Sequence, residues 1–167
     1  EESLLQYLAG AAFYTWRESA IGFVVGGLLG LVLATIFVHS RLLERAFVPY
    51  VVASQTIPIV ALAPMVVYAF GPSVASVVVI ATYLTFFPVT INTVRGLNSA
   101  DPRALQLMRS YAAGNWSILW KLRVPSSLPY VFAALKVSAT ASVVGAIIGE
   151  LPSSVQEGLG GKILNFN

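Results

Sequence analysis

Cysteine is absent from the chain and histidine occurs once, at His39. No disulfide framework or thiolate metal site can form, and one imidazole cannot assemble a histidine-based metal cluster. No cofactor is expected. Charge is scarce as well: 10% of the 167 residues are Asp, Glu, Lys or Arg, against roughly a quarter in a soluble domain. With 57% hydrophobic residues, the chain has too little polar surface to cover a single core in water. The missing polar surface implies contact with lipid. A net charge of +3 invites a nucleic-acid reading, but no basic stripe interleaved with aromatics exists, and the positive residues gather beside apolar runs. Nucleic acid is therefore not an expected partner. Gly158-Leu159-Gly160-Gly161-Lys162 lacks the spacing of a phosphate-binding loop, and Ile163 stands where such a loop needs Ser or Thr.

The long apolar runs organise the chain. Residues 1–18 read as an amphipathic lead-in along the membrane surface, with Leu4, Leu5, Leu8, Ala12 and Phe13 near helical spacing and Tyr14 and Trp16 suited to an interface. Ser19 to Val38 then runs uncharged for long enough to cross roughly 30 Å of hydrocarbon. Within it Gly22, Gly26, Gly30 and Ala34 recur every fourth residue, placing small side chains on one face where another helix can approach. Ala46 to Val94 is too long for one helix and suits two, at about Val51–Phe70 and Val74–Thr90, joined by a turn at Gly71-Pro72. Pro58 and Pro64 are expected to bend or break the earlier of these.

A polar block follows, carrying Arg95, Arg103, Arg109, Lys121 and Arg123 against only Asp101. Ser99 or Asp101 can cap a helix starting at Pro102, and Gly114-Asn115 is a stop before a second short helix that ends ahead of Pro125. A fourth span runs from about Tyr130 to Gly149, with Lys136 near its start able to snorkel, and the tail from Ser153 to Asn167 reads as the beginning of a fifth. Arg41 and Arg45 lie two spans from the polar block, so seven of the 10 basic residues share one side. The positive-inside rule makes that side cytoplasmic. The expected fold is an all-α, polytopic membrane helical bundle with a cytoplasmic coupling helix pair at 95–124, forming one transmembrane domain over 1–167. Because the chain opens on Glu1-Glu2 rather than Met and ends inside a span, we expect it to be truncated at both ends.

Polar residues at membrane depth are the candidates for a translocation pathway: Gln55, Thr56, Asn92, and Ser138 with Ser142 one turn later. The competing role for each is a bond to its own or a neighbouring backbone. Gln55 ranks first because Pro58 frees a carbonyl beside it. Glu150, at the outer end of the fourth span, is a candidate gate or contact for an external binding protein; simple solvation is the alternative. A channel or scaffold would account for the spans without the Pro-bounded block. An intramembrane enzyme would need paired catalytic side chains that the spans lack.

The run from Asp101 to Lys136 resembles the cytoplasmic coupling loop, called the EAA loop, of bacterial ABC-importer permeases, especially the branch serving nitrate, taurine, alkanesulfonates and vitamin precursors. Val124-Pro125 and Leu128-Pro129 fit the two Pro pairs of that loop, Trp116 fits a frequent aromatic, and Lys136 sits where the family often has a cation. Gln106, Leu107 and Met108 replace Glu-Ala-Ala, and Ala112 occupies the place of the family's Gly, with Gly114 two residues later. Gln55 to Pro64, Phe86-Phe87-Pro88, Asn92-Thr93 and Gly96-Leu97 resemble the family's second and third spans. The resemblance implies a multi-pass protein of the bacterial inner membrane that imports a small solute such as a sulfonate, nitrate or a vitamin precursor. It makes no catalytic site of its own. Implied partners are membrane lipid, cytoplasmic ATPase subunits, a second permease copy or paralogue, and an extracytoplasmic solute-binding protein. Gln106, Met108, Ala112, Gly114 and Trp116 would couple to the ATPase, with Pro125 and Pro129 as the hinge.

Overall fold

The structure is a computed structural model that describes residues 2–153 and 157–165, and among these every regular element is helical. In chain order they are α1 (Glu2–His39), α2 (Arg41–Ser54), α3 (Ile59–Phe70), α4 (Val74–Asn98), α5 (Pro102–Ser110), α6 (Asn115–Ile118), a π-helical turn (Leu119–Arg123), α7 (Val124–Ser153) and α8 (Leu159–Asn165). Three helical stretches are long and apolar enough to cross a membrane, at Leu4–His39, Val74–Asn98 and Asn115–Ser153; α2 and α3, bent by 98° to each other, make a fourth if taken as one broken span.

α4 is the centre of the bundle, packed between α1 and α7. The glycine row on α1 works as expected. A Cβ at Gly26 would lie 2.6 Å from the Thr82 carbonyl oxygen, and one at Gly30 would lie 3.0 Å from the Phe86 carbonyl oxygen. Ala34 continues the row into a buried cluster with Phe37, Val94, Leu97 and Leu119. α7 approaches the other flank of α4 by the same device. Cβ atoms at Gly145 and Gly149 would sit 3.0 Å and 3.1 Å from the α carbons of Ala81 and Val77. Lipid and helix interior are equally apolar, so close van der Waals contact, rather than escape from water, holds these helices together.

Several boundaries differ from the sequence reading, each for an identifiable reason. The lead-in at 1–18 is not a separate element, because nothing between Glu2 and His39 breaks the helix, and Ala11, Thr15, Glu18 and Ser19 are buried on its bundle side. The span expected at Val51–Phe70 is two helices. Pro58 ends one and caps the next in an extended conformation, whereas Pro49 and Pro64 lie inside α2 and α3 without interrupting them. α4 runs on past Thr90 to Asn98, and Gly71, at φ +77°, makes the turn before it. The helix after α5 does not stop ahead of Pro125. It widens into the π turn, where the Val124 N–H bonds back to the Leu119 carbonyl, and continues unbroken through Pro125 and Pro129. Widening the turn relieves the clash that a proline ring makes with the carbonyl four residues earlier. Of the tail expected to begin a fifth span, Leu159–Asn165 is a short helix, and residues 154–156 and 166–167 lie outside the described residues.

The helix ends sort into two groups. His39, Arg41, Arg109 and Arg123 surround one cavity at one end, while Tyr14, Glu18 and Val74 surround another at the opposite end. α2 and α3 together therefore carry the chain from the basic end to the other, as a single crossing would.

Replacing Gly26 by Leu is expected to destabilise the full-length protein by about 2 kcal/mol or more, since backbone rather than a flexible side chain stands in the way. Gly10→Ala, which meets nothing within 4 Å, serves as the control and should be neutral or slightly stabilising. Thermal unfolding in detergent reads both.

Candidate functional site

At the basic end α5 stands off the bundle. Asp101 caps it, accepting from the Arg103 N–H at 2.8 Å, with Pro102 in the first helical position. None of its residues is buried, and Gln106, Leu107 and Arg109 are exposed. Met108 is half-buried. The helix closes with the Ala113 N–H on the Met108 carbonyl, and this closure puts Ala112 at φ +53°. Such a left-handed position favours glycine, so the place where the resembled loop carries Gly is the place where the backbone here demands it. Gly114, by contrast, has an ordinary φ of −68° and caps α6. Trp116 is exposed and lies between the His39 and Trp120 rings, tilted to the first at 6.1 Å and edge-to-face with the second at 6.0 Å. Tyr111 is 79% exposed. The protrusion thus leaves Leu107 and Tyr111 exposed.

The bend between α2 and α3 exposes Gln55 and Thr56. Thr56 bonds the Ala53 carbonyl at 2.7 Å, and Gln55 makes no side-chain hydrogen bond among the described residues. Pro58 removes the N–H that would have reached Ser54, and the Tyr83 hydroxyl donates to that carbonyl instead, at 2.6 Å, fastening the bend to α4. Asn92 is half-buried and donates to the Pro88 carbonyl. Ser138 and Ser142 are buried in the α4–α7 contact, donating to the carbonyls of Thr85 and Ala139. The structure therefore does not gather the five polar candidates around one surface. Lys136 lies midway along a continuous α7 rather than near its start, exposed, with Thr140 one turn further on the same face.

The opposite end holds a polar cluster that sequence reasoning found only in part. Glu150 is fully buried instead of facing the exterior. It accepts from the Thr15 hydroxyl at 2.7 Å and the Gly160 N–H at 2.6 Å, while Thr15 accepts from the Leu159 N–H at 2.9 Å. α1, α7 and α8 are thereby tied together, and any Cβ at Gly158 would collide with the Glu150 carboxyl. Glu18, 1% exposed, sits beside Glu150, and neither of its oxygens accepts from a donor among the described residues. A signal for Glu18 was present: it lies four residues before Gly22 and so begins the buried row. Thr15 lies one turn earlier.

The family of binding-protein-dependent transport system inner membrane components matches residues 26–160. The chain is 39% identical over 141 residues to the formylaminopyrimidine transport permease protein ThiX of Halalkalibacterium halodurans, covering 84% of this chain and 56% of that protein. It is 34% identical over 125 residues to the riboflavin transport system permease protein RibX of Chloroflexus aurantiacus, covering 75% and 46% respectively. A putative aliphatic sulfonates transport permease protein, SsuC of Bacillus subtilis, is 26% identical over 148 residues, covering 89% and 53%. The chain thus spans about half the length of these relatives. It belongs to the family of binding-protein-dependent transport system inner membrane components, and it is a multi-pass inner-membrane protein.

Two substitutions probe these sites by thermal unfolding of the full-length protein. Ala112→Gly should stabilise it by about 1 kcal/mol, by relieving the left-handed turn. Thr15→Val should destabilise it by about 2 kcal/mol, because Glu150 and the Leu159 N–H each lose a buried partner. Glu18→Gln, which adds an amide donor beside Glu150, should not reproduce that loss.

Proposed function

We propose that this chain forms the translocation pathway of an ATP-driven, binding-protein-dependent importer of a small solute, and that a separate ATPase supplies the energy by gripping α5. The observation carrying this reading is the exposed α5, with no buried residue yet with Leu107 and Tyr111 turned to water. An isolated nine-residue helix has too few hydrogen bonds to justify itself by propensity alone, so an outside contact accounts for its apolar face. Gln106, Met108, Ala112, Gly114 and Trp116 shape the same protrusion.

Motion of α5 and α6 would pass into the membrane as a rigid body, since the helix from Asn115 to Ser153 is unbroken. In this proposal Pro125 and Pro129 stiffen the junction, because each fixes its own φ. Alternating access then requires two packings of the spans, with nucleotide state biasing the populations. Gln55 and Thr56 at the bend and Lys136 with Thr140 on the outer face of α7 are the polar groups open to a pathway shared with a second permease copy or a paralogue. A lysine at membrane depth faces a polar cavity or a partner more comfortably than hydrocarbon. An external solute-binding protein would deliver the solute. The relatives carry names for formylaminopyrimidine, riboflavin and aliphatic sulfonates, which makes a small organic solute the proposed class.

The test is ATP hydrolysis by the full-length complex, reconstituted with its ATPase and binding protein, comparing wild type with Leu107→Glu. Because Leu107 is 57% exposed, the substitution should leave the bundle folded while reducing binding-protein-stimulated hydrolysis by about tenfold or more. Unchanged stimulation, with the variant permease present in the membrane, would remove α5 as the coupling contact.

A further inference from the structure

At the basic end three guanidinium groups from separate elements converge without a carboxylate among them. Arg41 opens α2, Arg109 lies in the last turn of α5 and Arg123 in the π turn; with His39 and Asn115 they line a cavity of about 180 Å³. Arg123 feels the charges of both other arginines, and its one hydrogen bond is a long one, 3.5 Å to the Asn98 side-chain oxygen. Glu44 partly offsets the charge on Arg123 but is bonded by the Asn98 amide at 3.0 Å, and none of the three arginines forms an ion pair among the described residues. Arg41 and Arg109 are exposed, and an anion among the three would offset their mutual repulsion.

His39 also lines a second hollow, an almost wholly apolar groove along α1 walled by Leu31, Val32, Ile36, Leu43 and Trp116. The cationic cradle and the apolar groove thus meet at His39. His39 stands at the junction with Trp116 beside it, as aromatic side chains do at the level of lipid headgroups.

We propose that this composite site binds an anionic phospholipid of the inner leaflet, its phosphodiester held by Arg41, Arg109 and Arg123 and one acyl chain lying against α1. Arginine suits the task because its planar fork meets two phosphate oxygens at once, and the cytoplasmic leaflet supplies the negative charge. A free phosphate shares the headgroup chemistry but has nothing to place in the groove. Because Arg109 belongs to α5, an occupied cradle would pin the protrusion against α1 and α2. The inference rests on the membrane topology and not on the coupling role of α5.

The experiment uses the full-length permease with its ATPase in phosphatidylcholine nanodiscs doped with phosphatidylglycerol, with co-purified lipid counted by native mass spectrometry. Wild type should retain phosphatidylglycerol over phosphatidylcholine. Arg41→Gln and Arg123→Gln should each weaken retention about tenfold, Arg123→Lys should weaken it less, and Arg103→Gln, on α5 but outside the cradle, should leave it unchanged. Equal retention by wild type and both glutamine variants would overturn the site. Displacement of the lipid by inorganic phosphate would reassign the cradle to a free anion, and loss of lipid whenever the ATPase is bound would reassign it to an acidic surface of that partner; either result overturns the proposal.

Discussion

Close backbone approach to α4 is the constraint on which the rest of the molecule depends. In lipid no hydrophobic force favours one helix against another over hydrocarbon, so a bundle persists only where surfaces fit. Small residues on α1 and α7 provide that fit from both flanks: Gly22, Gly26 and Gly30 on one side, Gly145 and Gly149 on the other. With α4 held in this way, Tyr83 is aimed at the broken backbone between α2 and α3, and Ser138 reaches the Thr85 carbonyl. The bend and the bundle are thus one construction. A proline-induced gap in hydrogen bonding is tolerated because a neighbour supplies the missing donor.

The two ends of the bundle solve opposite electrostatic problems. At one end carboxylates are buried, and Glu150 is satisfied by a hydroxyl and a backbone N–H drawn from α1 and α8. That arrangement converts a carboxyl group costly to bury into a fastening between three helices. At the other end cations accumulate without acids and remain close to water, where α5 projects. This asymmetry has the sense that the positive-inside rule expects of a membrane protein.

Much of the fold was legible in the sequence because the signals were local. Uncharged runs of membrane-spanning length, the glycine row, the Gly71 turn and the Asp101-Pro102 cap each depend on residues a few positions apart. Misreadings arose where two local rules competed. Proline stops a helix in isolation, yet Pro125 is absorbed by a π turn and Pro64 by lying in an exposed face, whereas Pro58 ends α2 because its freed carbonyl has Tyr83 to accept from. Polar residues at membrane depth marked a pathway in prospect, but Ser138 bonds across to α4 and Ser142 back to its own helix, and both are buried.

What the sequence by itself determined is the class of solvent, the helical period and the family. These properties are sums over neighbouring residues, and no partner is needed to read them. Only the tertiary structure decided that Glu150 is buried rather than exposed, that Glu18 and Thr15 stand beside it, and that Arg41, Arg109 and Arg123 share one cavity. The physical reason is that burial and charge pairing depend on which faces meet across the bundle. Residues separated by more than a hundred positions have no local signal of being neighbours.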